Sequence, residues 1–272
     1  MRIRAGWRGL VLLMVIVVSS VRYGWIWARC KVERRAVREL ERAQWMSDGC
    51  RLLTRALGIR VRVEVERGAK LPAGPVLIAS NHLSYLDIAI FAAASPCAFV
   101  AKQEIAAWPI FGQLGRLGGT IFVDRESRIS AWKTVEAMEE RLSQGVPVLF
   151  FPEGTSSDGR EVLPFHSPLF AAAAADGFTI VPAAIRYECA GEGKGRGLQE
   201  RDLCWYGDEA FLPHLMRVMH AAGFVATVRF GRAQPAPDRK VACWRSLDAV
   251  GAMREAGFSR SRKGAFVESA GT

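Results

Sequence analysis

The chain opens on a stretch whose apolar residues fall on every face. Gly9 to Ala28 reads GLVLLMVIVVSSVRYGWIWA, with Ser19, Ser20 and Arg22 as its main polar interruptions. As a helix, that length reaches across the hydrocarbon core of a bilayer. Residues 31–58 then carry apolar side chains at helical spacing (Val37, Leu40, Ala43, Trp45, Met46, Leu52, Leu53, Ala56, Leu57), which predicts one amphipathic helix closed by Gly58. The period drops to two at Ile59 to Glu66 (IRVRVEVE), a half-exposed strand. After a turn at Gly68–Gly74, the run Val76–Ser80 is short, apolar and β-branched at Val76 and Ile78, so it reads as a buried strand.

From there the two periods alternate. Helices are expected at Leu86–Ala94, Ser130–Ser143 and Leu169–Ala175, and strands at Ala98–Ala101, Thr120–Val123, Val146–Phe151 and Thr179–Ala184. A late strand is expected at Ala226–Phe230, closed by Pro235-Ala236-Pro237, with mostly helix and tail from Asp238. This order predicts an α/β fold, a central mixed sheet flanked by helices, behind an N-terminal membrane-anchoring helix. The expected divisions are an anchor at 1–30, an α/β domain at 31–235 and a helical, basic tail at 236–272. Pro182 inside a strand-like run predicts an edge or a bulge. Gly191–Gly197 lacks the spacing of a phosphate-binding turn and reads as a surface loop.

Composition sharpens the picture at the N-terminus. The 272 residues hold 37 Lys+Arg against 27 Asp+Glu, a formal charge of +10, which suits an anionic partner. The basic residues are not interleaved with aromatics on a nucleic-acid-binding pattern, so no nucleic acid is expected. They flank the apolar stretch on both sides, and Trp7, Tyr23, Trp25 and Trp27 bracket it. Ser19-Ser20-Val21 is a weak cleavage site, and an all-round apolar face does not suit a core helix. An uncleaved anchor is therefore expected, spanning the membrane or lying at its interface, with the basic flank on anionic headgroups. The six cysteines form no CxxC pair, so a reducing compartment and no metal site are expected.

The chemistry concentrates in Asn81-His82-Leu83-Ser84-Tyr85-Leu86-Asp87. A continuous helix would turn about 500° between His82 and Asp87 and hold them on different faces. A strand end, a turn and a helix start bring them together. An aspartate so placed fixes the tautomer of an imidazole acting as general base. Three further segments sit at or in strands: Gly119-Thr120-Ile121-Phe122-Val123-Asp124-Arg125, Phe151-Pro152-Glu153-Gly154-Thr155, and Val181-Pro182.

Together, in this order, these blocks resemble the glycerolipid (lysophosphatidic acid, or 1-acylglycerol-3-phosphate) acyltransferase family. Its NHxxxxD block matches Asn81 to Asp87, its GxxFxxR block Gly119, Phe122 and Arg125, its FPEGTRS block Phe151 to Thr155 and Ser157, and its V-P pair Val181-Pro182. The resemblance covers roughly residues 45–210. It implies transfer of a fatty acyl group from acyl-CoA or acyl-carrier protein to the free hydroxyl of 1-acylglycerol-3-phosphate, in phospholipid biosynthesis. It implies His82 as general base, Asp87 as its partner, and no cofactor. It implies substrate contacts at Asn81, Lys102, Gly119, Phe122, Arg125, Glu153, Gly154, Thr155 and Pro182, with Arg125 and Lys102 on an acceptor phosphate. It implies a cytoplasmic membrane location with the site facing the cytoplasm.

One departure stands out. The family's third block continues with arginine, and position 156 here is serine, with Arg160 nearby. Another lysolipid acceptor, such as lyso-ornithine lipid, is the alternative. No GxSxG elbow occurs, which disfavours a hydrolase. A non-catalytic membrane lipid-binding protein is the rival from another class, and the intact His82/Asp87 pair argues against it.

Overall fold

The computed structural model of the protein describes residues 2–123, 128–174, 177–189 and 199–256. In chain order the elements are α1 (Arg2–Val32), α2 (Glu39–Leu57), β1 (Ile59–Val65), β2 (Val76–Ser80), α3 (Leu86–Ala94), β3 (Ala98–Lys102), α4 (Phe111–Leu117), β4 (Ile121–Val123), α5 (Arg128–Ser143), β5 (Val148–Phe150), α6 (Ala171–Ala174), β6 (Thr179–Cys189), α7 (Glu200–Leu203), α8 (Phe211–His220), β7 (Phe224–Phe230), β8 (Gln234–Pro235) and α9 (Arg239–Glu255). Short 3-10 turns at Gln103–Ala107 and Pro168–Phe170 precede α4 and α6.

The strands form one sheet in the order β1-β7-β6-β2-β5-β3-β4, with β8 beside β6. From β6 to β4 all neighbours are parallel, while β7 runs antiparallel to β6 and parallel to β1. This is the mixed sheet flanked by helices that the alternating periods predict. The period of two sorts β2: Ile78 faces one core with Ile90 and Phe91 of α3, and Leu77 and Ala79 face the other with Met138 and Leu142 of α5. All three are fully buried, as a central strand covered on both faces requires.

Several boundaries differ from the sequence reading. The helix expected over 31–58 is interrupted. α1 runs on to Val32, Arg34 adopts a left-handed φ of 54°, and Glu41 Oε2 accepts from Arg38 N (2.9 Å) to start α2 afresh. β6 continues five residues past Ala184, because Arg186 and Glu188 keep the alternation going. Helices α4, α7 and α8 had no expectation. The helix expected from Asp238 is α9, and it packs on the domain rather than trailing from it, burying Ala242, Val250 and Met253. Ala175, Gly191–Gly197 and the basic residues beyond 256 lie outside the described residues.

Pro182 is not on an edge, since β6 lies inside the sheet. The bulge half of the expectation holds, displaced to the partner. β6 steps from Ala183 to Ile180 while its partner passes from Phe230 to Gln234, one residue more. Pro182 O accepts from Gly231 N (2.8 Å), so the missing proline N–H faces this bulge and no ladder donor is lost.

By length and composition α1 can cross a membrane, and only 11% of its apolar window is buried, unlike a core helix. One side is docked. The Arg8 guanidinium donates to the C-terminal carbonyls of α8, Met219 O at 2.8 Å and Ala221 O at 2.9 Å. Trp45 Nε1 donates to Ser19 O (2.8 Å), and Arg22 pairs with Asp48 at 2.5 Å. The other side exposes Trp7, Leu10, Leu13, Met14, Val17, Val21 and Trp25.

Candidate active site

The site is built where β2 ends. Backbone pairing of β2 with β6 stops at Ser80 and Ala183. Asn81 extends it with its side chain. Its Oδ1 accepts from Ile185 N (2.9 Å) and its Nδ2 donates to Ile185 O (3.2 Å), replacing both ladder bonds as the main chain leaves the sheet. Buried there, Asn81 anchors the loop and is not shaped for the substrate contact expected of it.

The chain then turns through His82 to Tyr85 and enters α3. Ser84 Oγ accepts from Leu86 N (3.3 Å), and Asp87 N donates to Ser84 O (3.0 Å). The turn brings Asp87, in the first turn of α3, back over the loop. Its Oδ2 accepts from Leu83 N (2.6 Å) and Ser84 N (3.0 Å) and lies 2.8 Å from His82 Nδ1. A carboxylate oxygen with these donors around it can only accept, so Nδ1 carries the ring proton and Nε2 keeps a lone pair for substrate. The bend expected between the two residues is present.

The third block closes on the first. Phe151 stacks on the His82 ring, with centroids 4.0 Å apart and 12° between planes. His82 N donates to Glu153 Oε2 (3.3 Å), and His82 O accepts from Ser157 N (2.9 Å). Trp205 N donates to Leu83 O (2.9 Å), and Ser156 Oγ donates to Trp205 O. The imidazole is thus held by its ring face, its Nδ1 and its own peptide groups. The side chain stays 19% accessible while Asp87 is fully buried. Glu153 also accepts from Leu163 N (3.3 Å), and burial pushes its carboxyl up to about 8. It braces the His82 loop through the His82 N–H, where an acceptor-shaping role had been expected. Gly154 turns at φ 75°, and Thr155 beside it is exposed.

The remaining expected residues spread along the sheet. Lys102 is exposed at the C-terminal end of β3, the sheet edge from which His82 also projects. Phe122 faces α4, with the Arg116 guanidinium 5.9 Å from its ring, on a strand three places from β2, about 14 Å away. Gly119 precedes β4 at the opposite end of the strands. Its φ of 79° and its approach to Glu39 and Arg42 explain a glycine there without any substrate. Neither Gly119 nor Phe122 reaches the His82 loop. Pro182 pairs with Ala79 inside the sheet. Arg125 lies outside the described residues. The sequence reading missed the stacking role of Phe151, although the residue stood in a named block. It also missed Trp205 and Tyr187, the latter beyond the expected end of β6.

Comparison with known proteins agrees with this geometry. The family model described as Acyltransferase matches residues 62–186, a span that includes the His82/Asp87 loop and the Phe151–Ser157 block. The lyso-ornithine lipid O-acyltransferase of Rhizobium meliloti (strain 1021) is 35% identical over 240 residues, covering 85% of this chain and 78% of that protein. The 1-acyl-sn-glycerol-3-phosphate acyltransferase of Neisseria gonorrhoeae is 41% identical over 127 residues, 47% of this chain and 50% of that one. Among solved structures, the 1-acyl-sn-glycerophosphate (LPA) acyltransferase of Thermotoga maritima superposes with a TM-score of 0.57 at 20% identity, covering 94% of this chain and all of that one, which shows a shared fold. A histidine presented from a strand end to a buried aspartate, the matched family span and a relative alike over most of both chains converge: the protein belongs to the acyltransferase family and is an acyltransferase acting on a lysolipid.

Proposed function

We propose that the protein acylates the free hydroxyl of lyso-ornithine lipid, with His82 as general base. The observation that carries the acceptor assignment is at position 156. Ser156 spends its hydroxyl on Trp205 O, and Arg160 is turned outward onto Asp158 (3.2 Å). Neither supplies the pocket with the cation that the family's third-block arginine would offer a phosphate. Relatives alike over most of their length and named for lyso-ornithine lipid support the same acceptor.

In the reaction, His82 Nε2 takes the acceptor hydroxyl proton as the oxygen attacks the thioester carbonyl. Asp87 holds the ring through Nδ1 and balances the imidazolium charge. Collapse of the tetrahedral adduct breaks the C–S bond, and the imidazolium returns the proton to the departing thiolate. Transfer is direct and needs no cofactor. Ser84, the one serine inside the motif, is fully buried and accepts from Leu86 N. The donor is acyl-CoA or acyl-carrier protein, both cytoplasmic thioesters, so the site faces the cytoplasm. We further assign α1 to the interface of the cytoplasmic membrane. Its docked side leaves one apolar side for the bilayer, and Asp48 neutralises Arg22.

The second reading keeps 1-acylglycerol-3-phosphate as acceptor. It is favoured by Lys102, exposed on the sheet edge that carries His82. Purified enzyme with oleoyl-CoA, and separately oleoyl-acyl-carrier protein, presented with a panel of lysolipids and read by mass spectrometry, separates the two. Acylation of lyso-ornithine lipid alone supports the proposal. Preferential phosphatidic acid formation overturns it in favour of the second reading. No product with any acceptor or donor removes both.

A further inference from the structure

We propose that Tyr187 is a positioning residue for acyl transfer, a third member of the line His82–Asp87–Tyr187 that fixes the rotation of the Asp87 carboxylate. The inference rests on the reading of His82 as general base. Asp87 Oδ2 is crowded by three groups, His82 Nδ1, Leu83 N and Ser84 N. Oδ1 points the other way, and its donor is the Tyr187 hydroxyl. A carboxylate anchored by one oxygen alone can rock about its Cβ–Cγ bond. Holding both oxygens keeps Oδ2 in line with Nδ1.

Among the described residues the hydroxyl has no other hydrogen-bond partner. The Tyr187 ring packs on Phe224 with centroids 5.1 Å apart and is almost completely buried. A phenylalanine would fill that space equally well, so the oxygen is there for what it contacts. Tyr187 is itself held in place. Its backbone N donates to Glu200 Oε1 (2.9 Å), and Arg254 of α9 pairs with the same oxygen (3.0 Å) and donates to Ile185 O (2.9 Å). The C-terminal helix thereby braces the strand that carries the tyrosine. Burial and the neighbouring Asp87 raise the phenol well above its ordinary value, so it remains a neutral donor throughout the assay range.

A donor on Oδ1 also draws charge from the carboxylate. Without it, that charge is no longer shared and the carboxylate is free to turn away from His82 Nδ1. The other titratable or charged groups that act on this cluster are Glu153 and Asp158 from the third block, Glu200 and Cys204 from α7 and its end, and Arg254 from α9. All of them persist in the variant, so the comparison with wild type isolates the hydroxyl.

The test is steady-state acyl transfer by Tyr187→Phe across pH, with thermal unfolding as the fold control and Tyr187→Met as a second variant without the hydroxyl. The kcat should fall about ten- to a hundred-fold, as for loss of a buried hydrogen bond to a charged group. KM for donor and acceptor should hold within about twofold, so that the loss lies in kcat. In an Asp87→Asn background the same substitution should cost nothing more, because Tyr187 acts only through Asp87. Folded Tyr187→Phe with wild-type kcat would overturn the inference. So would a loss equally large in the Asp87→Asn background, which would mark a packing role. His82→Ala, run alongside, separates the two claims. If it retains turnover, the general-base reading fails and this inference with it; if it is inactive while Tyr187→Phe is normal, only the inference falls.

Discussion

Glu153→Gln should flatten the dependence of stability on pH. The Glu153 carboxyl is 4% exposed and is lifted from 4.5 to about 8, first by burial, against the opposing pull of its contacts with His82 N and Leu163 N. The unfolded chain gives up this proton near 4.5, while the folded protein holds it to about 8. Between those values the unfolded state binds fewer protons, so stability falls as pH rises, and above the folded value the loss is complete. At about 1.4 kcal/mol per unit of pH, the wild-type protein should lose roughly 3 kcal/mol between pH 5.5 and 8, or about 5–10 °C in Tm. Glutamine loses one of the two backbone contacts, an offset of about 1 kcal/mol that does not vary with pH. His214, whose ring is lowered by burial, contributes the opposite slope, gaining stability as pH rises through its range. It does so in both proteins and cancels in the difference. The assay is thermal unfolding in detergent across that range. Parallel curves for the two proteins, displaced but equally steep, would refute the assignment of a buried, neutral Glu153.

Two further perturbations test other links. Asn81→Ala removes both side-chain bonds to Ile185 and leaves buried peptide groups unpaired; a loss of about 2–4 kcal/mol by chemical unfolding is expected, with kcat falling as the His82 loop loosens. Unchanged stability would show that the ladder extension matters little. Ser156→Arg should raise kcat/KM for 1-acylglycerol-3-phosphate relative to lyso-ornithine lipid by about tenfold, the scale of one charge-assisted contact. An unchanged ratio would remove position 156 from acceptor choice.

Much of this arrangement is legible in the chain because its causes are local. The buried strand Val76–Ser80, the alternating Ile59–Val65 and the helix at Leu86–Ala94 follow from short-range periodicity and appear with nearly those bounds. The meeting of His82 and Asp87 is legible for the same reason, since five residues leave few ways to turn a strand into a helix. Long-range pairing is not legible. That Asn81 completes a ladder with Ile185, that Tyr187 reaches Asp87, and that Phe151 lies flat on His82 all depend on which strands become neighbours. Nothing near those residues encodes it. Motif membership also misleads over role. Gly119 and Phe122 stand in a block with Arg125, yet one serves a turn against α2 and the other packs under α4. Pro182 reads as an edge or bulge residue, and only the strand pairing shows that it is a bulge, lying on the partner strand.

The central claim is that His82, oriented by Asp87, takes the proton from a lysolipid hydroxyl. It is tested most directly by measuring acyl transfer from oleoyl-CoA, or from oleoyl-acyl-carrier protein, to the preferred lysolipid with wild-type and His82→Ala enzyme, with unfolding midpoints compared to show that both are folded. Turnover in His82→Ala should fall about 10²- to 10⁴-fold, the usual contribution of a general base, in a protein that still unfolds cooperatively although its midpoint drops with the lost Phe151 stacking and Asp87 contact. A folded His82→Ala enzyme that retains wild-type turnover would contradict the account.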